Sequence, residues 1–122
     1  ELCGDACEGF FYSTHYAASG ATGATKEFID KFQAHHGEIP SDVGALTWDS
    51  MQLVVKALQN CGSLGGNLEE NRTCVRDGMA AIKDFEGITG TMTFDEQGDP
   101  IKCAVIVQIQ GGEAVFYKSV CP

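Results

Sequence analysis

In Cys7-Glu8-Gly9-Phe10-Phe11-Tyr12-Ser13-Thr14-His15-Tyr16, an unbroken aromatic run stands between a turn-forming glycine and a polar pair. Aromatic side chains fit a pleated surface, so a short run of them bounded by turn residues predicts a buried strand, inside a sheet, over Gly9 to Thr14. Upstream, Glu1-Leu2-Cys3-Gly4 reads as the last turn of a helix. No signal peptide or lipid-attachment motif opens the chain, and the expectation is that upstream sequence precedes it.

Downstream, the small, Gly-rich stretch Ala17 to Gly23 is a loop, and Thr22 is placed to cap a helix beginning near Ala24. Phe28, Ile29 and Phe32 recur there at helical spacing, and Gly37 stops the helix. A second helix is expected from Ser41 to about Asn60. Its Leu46, Met51, Leu53, Val54, Val55 and Leu58 nearly encircle it, which predicts the most buried helix, with Trp48 in the core. Asn67 followed by Glu70 is a capping-box start for a third helix, whose apolar face is Leu68, Val75, Met79 and Ile82. Beyond Gly87 the period changes to two, with Ile88, Gly90, Met92 and Phe94 alternating with threonines in a half-buried strand. A turn over Glu96 to Pro100, a strand from Lys102 to Gln110 and a Gly111-Gly112 hairpin to Glu113–Val120 complete the chain. The expected fold is α/β: one buried strand, three helices, then a three-stranded antiparallel ending.

The 122 residues suffice for one core, and 43% apolar with 20% charged residues is ordinary for a globular chain. No apolar run approaches the length of a membrane span. A formal charge of -9 with only eight Lys and Arg opposes a nucleic-acid partner, because phosphate binding needs a basic patch.

Six cysteines suit an oxidising compartment. They allow 15 pairings, of which Cys61–Cys74, flanking a Gly-rich loop, is the preferred local closure. Zinc is the rival use: Cys3 and Cys7 could join His15 or the His35-His36 pair, but no second closely spaced pair completes a four-ligand set, so no metal is expected. No cofactor is expected either. His15, Asp49 and Ser50 supply the letters of a hydrolase triad without a nucleophile elbow, and the chain is read as not an enzyme.

The opening segment resembles the AEGVYFSTHYA stretch of branched-chain amino-acid binding proteins, the type I periplasmic binding proteins of ABC importers. Ala24-Thr25-Lys26-Glu27-Phe28-Ile29 is similar to the family's following helix. Trp48-Asp49-Ser50-Met51-Gln52-Leu53 stands where YDAMQL is usual, and Ala80 to Gly90 is similar to its pre-hinge segment. Thr93 to Pro100 resembles TFDENGDP, and Ala104 to Gln108 with Phe116-Tyr117-Lys118 resembles the closing hairpin. Trp48 and the number of cysteines depart from the family pattern.

The resemblance implies two Rossmann-like lobes that close on a ligand by hinge motion. Residues 1–122 would form a C-terminal segment contributing to both lobes: the first strand in the second lobe, the helices in the first, Thr89-Gly90 near the return crossing. It implies an extracytoplasmic protein that takes leucine, isoleucine, valine or a relative and delivers it to an ABC transporter permease. A lipid anchor on the full-length protein is compatible with this. A ligand-sensing module of the same fold is the alternative, which an attached signalling domain would decide. Thr14, His15 and Tyr16, at the end of a crossing strand, and Val43, in a region that can present an apolar side chain to the ligand, are the candidate contacts. Cys3 and Cys7 precede the first strand while Cys103 and Cys121 sit on the last two, so all four could meet on one side of the second lobe. Apolar faces left without natural partners imply a homodimer of the isolated segment, by strand or helix exchange.

Overall fold

The computed structural model describes residues 4–122, so Cys3 and most of the helical turn expected at the start lie outside the described residues. A 3-10 turn over Gly4–Cys7 precedes β1 (Phe11–Thr14), α1 (Gly23–His36), α2 (Asp42–Cys61) and α3 (Leu68–Ala80). β2 (Phe85–Gly87), β3 (Gly90–Phe94), β4 (Pro100–Lys102), β5 (Ala104–Gln110) and β6 (Glu113–Val120) follow. The chain is α/β, and its strands form two three-stranded antiparallel sheets, ordered β1-β5-β6 and β2-β3-β4. No helix among the described residues is long and apolar enough to cross a membrane.

Local chemistry sets the helix ends. Gly37 adopts the left-handed conformation at φ 78° that a β-carbon would strain, and its N–H closes α1 on Gln33 O. Ser41 Oγ accepts from Gly44 N at 3.2 Å to start α2. Asn67 Oδ1 accepts from the N–H groups of Glu69 and Glu70, while Glu70 Oε2 accepts from Asn67 N, a complete capping box for α3. Thr22 takes the cap position of α1 but makes no side-chain cap bond, and the helix begins one residue early at Gly23.

α2 buries one stripe, Ala45, Asp49, Leu53 and Ala57, each four residues from the last. Ala45 joins Tyr16, Ile29 and Ile88 in one core cluster, and Leu53 joins Ile82 and Met92 in another. Small residues let α2 and α3 meet closely, since a β-carbon on Gly78 would lie 3.1 Å from the Ala57 carbonyl oxygen. A disulfide between Cys61 and Cys74, with Cα atoms 5.9 Å apart, ties the end of α2 to α3. Its closure of a short loop is worth about 3 kcal/mol by the chain-entropy relation. Replacing both cysteines with alanine should lower unfolding stability by about that amount, and a denaturation midpoint equal to wild type would contradict it.

Several expectations need correction. Phe10, Phe11 and Tyr12 are 62%, 51% and 49% exposed, because among the described residues β1 is an edge strand paired with β5, and the Tyr117 ring meets Phe11 edge-on without covering it. α2 is buried on a single stripe rather than all round. Trp48 lies outside the core, 47% exposed and tilted against Phe28 at 5.3 Å between ring centroids. Leu68 is exposed as well, and α3 has no buried residue. The segment from Ile88 to Phe94 is not one strand: Ile88-Thr89 forms the turn of a hairpin between β2 and β3, paired Gly87 to Gly90. The strand expected from Lys102 to Gln110 divides at Cys103, so that β4 and β5 lie in different sheets.

Candidate functional site

The end of β1 meets the start of α2. Thr14, the last residue of β1, pairs with Val105 on β5, and its hydroxyl donates to Asp42 Oδ2 at 3.4 Å. Two residues on, the Tyr16 ring is buried with Ile29, Ala45 and Ile88, and its hydroxyl donates to the Pro40 carbonyl just before α2. Burial, and then the charge of Asp42, push the Tyr16 phenol above its ordinary value. Val43, in the first turn of α2, is 67% exposed beside this junction, and His15 is exposed. The structure thus brings Thr14 and Tyr16 against the segment Pro40–Val43.

Because the folded state disfavours the phenolate, the stability that the Tyr16 proton lends is present below pH 10.0, the unperturbed tyrosine value, and is lost as pH rises through the higher folded one. Tyr16→Phe should remove this alkaline loss and, by deleting the bond to Pro40, cost about 1 kcal/mol at neutral pH. Paired unfolding curves at neutral and alkaline pH read both effects, and an alkaline loss unchanged in the variant would contradict the assignment.

Two turns further along α2 from Asp42, Asp49 is 2% exposed. Its Oδ1 accepts from Ile88 N at 2.8 Å, and its Oδ2 accepts from Thr89 N at 2.9 Å and from the Thr89 hydroxyl at 2.6 Å. Lys102 Nζ, on β4, donates to Thr89 Oγ1 at 2.7 Å. A chain of bonds therefore runs from β4 through the β2–β3 turn into α2. Burial holds the Lys102 ammonium below its usual range, an effect that the charge of Asp49 opposes. Sequence reasoning passed over this node; its signal was a carboxylate at the spacing of the buried Ala45, Leu53 and Ala57.

The triad letters do not assemble, because Asp49 is committed to the turn and Ser50 Oγ donates to Leu46 O within its own helix. Cys103 and Cys121 form a disulfide between the β4–β5 junction and the end of β6, and Cys7 is itself disulfide-bonded. Among the described residues no group of three His, Cys, Asp or Glu could hold a metal. A groove of about 570 Å³ between α1 and α2 is lined by Phe28, Phe32, Trp48 and Met51. A second hollow, of about 420 Å³, lies between the loop after β1 and the β2–β3 turn, and includes Tyr16, Thr25, Thr89 and Phe116. Neither includes Val43.

The model of a family described as periplasmic binding protein matches residues 1–114. No curated protein matches the chain. A leucine binding protein, LivK, from Thermotoga maritima superposes with a TM-score of 0.82 at 27% identity, covering 98% of this chain and 33% of that one. The branched-chain amino acid transporter substrate binding protein LivJ from Streptococcus pneumoniae, solved with isoleucine, gives 0.75 at 29% identity over 92% of this chain and 30% of that one. An ABC transporter solute binding protein from R. palustris, solved with benzoate, shares the fold at 0.79 and 21% identity, over 99% and 32% of the two chains. The chain thus spans about a third of the length of these solved proteins.

Proposed function

This chain belongs to the periplasmic binding protein family, and on that premise we propose that it acts as the C-terminal segment of an extracytoplasmic solute-binding protein, contributing to both lobes. The protein binds a branched-chain amino acid or a relative between its lobes and delivers it to an ABC transporter permease. The observation that carries this reading is the junction of β1 with α2. Thr14 and Tyr16, from the strand side, are bonded to Asp42 and Pro40, on the helix side, with the exposed apolar Val43 beside them. Residues from two structural layers converge where a cleft between lobes would present an apolar surface and hydroxyl donors to a small ligand. The likeness to LivK and LivJ supports leucine and isoleucine as the first ligands to try.

In the full-length protein, Val43→Arg should weaken leucine binding by about tenfold or more, a loss of about 1.4 kcal/mol, while leaving the melting temperature within a few degrees, because Val43 is exposed. An unchanged affinity in calorimetric titration would remove Val43 from the site. The exposed Phe10, Phe11, Tyr12, Phe116 and Tyr117 also support dimerisation of the isolated segment. A monodisperse monomer at high concentration in sedimentation would contradict that.

A further inference from the structure

Lys102 and Ala104 belong to different sheets, and Cys103 is the single residue between them. On one side, Lys102 pairs with Met92 on β3, and its ammonium donates to Thr89 Oγ1, whose hydroxyl donates in turn to the buried Asp49 carboxylate. On the other side, Ala104 opens β5 opposite Val120, and Val105 lies between Ser119 on β6 and Thr14 on β1. Thr14 is also where the chain leaves that sheet for α1, which bonds the β2–β3 turn through Thr25. The two crossings therefore stand side by side. The hollow of about 420 Å³ opens beside them, walled by Cys103, Val105 and Ser119 on one side and by Thr89 and Thr91 on the other, so a rotation of one sheet against the other changes its width.

The start of β5 is the weak part of its ladder. A bulge between Ile106 and Val107 interrupts the pairing with β6 and leaves only the pairs of Ala104, Val105 and Ile106 beyond it. Such a ladder end frays when hydrogen bonds alone hold it, and fraying would lengthen the crossing from one residue to several. The Cys103–Cys121 disulfide opposes this, because it joins the residue before β5 to the residue after β6. A purely stabilising cross-link could sit anywhere along the ladder, whereas this one sits where the chain changes sheets. The family resemblance accounts for hinge motion but not for the cysteines, whose number departs from its pattern.

We infer that the Cys103–Cys121 disulfide is a brace on the hinge: it confines flexing of this crossing to residue 103 and so lowers the ordering cost of closing the lobes on a ligand. The inference rests on the two-lobed binding function proposed above. Hinges absorb their backbone rotation at a few residues at element ends. Each residue freed in the open state and re-ordered at closure weakens binding by roughly tenfold.

The test compares the full-length wild-type protein with Cys103→Ser/Cys121→Ser and with Cys61→Ser/Cys74→Ser, which removes the disulfide away from the crossing. Leucine and isoleucine are titrated well below every melting temperature, and amide hydrogen exchange of Ala104 to Ile106 is followed with and without ligand. Cys103→Ser/Cys121→Ser should bind about tenfold more weakly, with those amides exchanging faster in the unliganded protein and regaining protection in the complex. Cys61→Ser/Cys74→Ser should melt earlier and keep its affinity within twofold; an equal affinity loss there would mean general destabilisation and overturn the inference. Val120→Gly weakens the same ladder end with the disulfide intact, and it too should bind within twofold of wild type. A tenfold loss in Val120→Gly would show that the ladder rather than the disulfide holds the crossing, and would overturn the inference even where the crossing variant fails to fold. Wild-type affinity in Cys103→Ser/Cys121→Ser overturns the inference and leaves the proposed function standing. Failure of the wild-type protein to bind either amino acid overturns the proposed function and the inference together.

Discussion

Asp49→Ala is expected to destabilise the fold by about 3 to 5 kcal/mol, because it leaves three buried donors without their acceptor. The carboxylate is 2% exposed and receives the N–H groups of Ile88 and Thr89 and the Thr89 hydroxyl. Alanine leaves those donors facing a cavity, and each unsatisfied buried donor costs about 1 to 3 kcal/mol before water or relaxation recovers some of it. Lys102, which donates to the same hydroxyl, loses the charge that supports its proton. Asp49→Asn is expected to lose less, about 2 kcal/mol, because one oxygen remains to accept while the amide meets donors. Equilibrium denaturation of the two variants measures this. A loss below about 1 kcal/mol for Asp49→Ala would mean that the turn does not depend on the carboxylate.

Gly87→Ala is the second large effect expected. A β-carbon there would lie 2.5 Å from Asp49 Oδ2, 2.7 Å from its Cγ and 2.9 Å from Oδ1. Real β-carbons do not approach so closely, and the carboxylate, pinned by its three donors, cannot move aside without giving them up. Overpacking of this kind costs about 1 to 3 kcal/mol, and the upper end is expected because the obstacle is fixed. The same geometry requires coupling. In the Asp49→Ala background the extra loss from Gly87→Ala should fall below about 1 kcal/mol, since the clashing atoms are gone. Simple additivity in a double-mutant cycle would contradict the contact.

These two residues also mark where the sequence stopped being legible. Helix ends are written locally: Asn67 with Glu70 forms a complete capping box, Ser41 caps α2, and Gly37 closes α1 at positive φ. The Gly111-Gly112 hairpin is local in the same way, with both glycines at positive φ between β5 and β6. The turn at Ile88-Thr89 is not local. Its backbone N–H groups are held by a side chain 39 and 40 residues earlier, and alternation of apolar residues and threonines across it mimics one continuous strand. Cys103 escaped for a related reason, because a Val/Ile-rich run does not record that its two parts pair with different neighbours.

Apolarity alone does not fix burial: Ile29, Leu53, Ile82 and Met92 are buried as expected, whereas other large apolar residues are not. Phe10, Phe11, Tyr12 and Trp48 are large and apolar, yet each is about half exposed, since the surfaces of the described residues do not cover them. At the candidate site, the sequence drew attention to Thr14, His15, Tyr16 and Val43 one at a time. Only the fold reveals Asp42, whose contacts join the strand to the helix.

The most direct measurement is isothermal titration of leucine, isoleucine and valine into the full-length protein and into the 122-residue chain, side by side. Binding of at least one amino acid by the full-length protein and none by the chain alone is the expected result, because a ligand with charged groups needs partners from both halves of the clamp. Binding by neither would contradict the assignment of a branched-chain ligand, and binding by the chain alone would contradict the placement of the site between lobes.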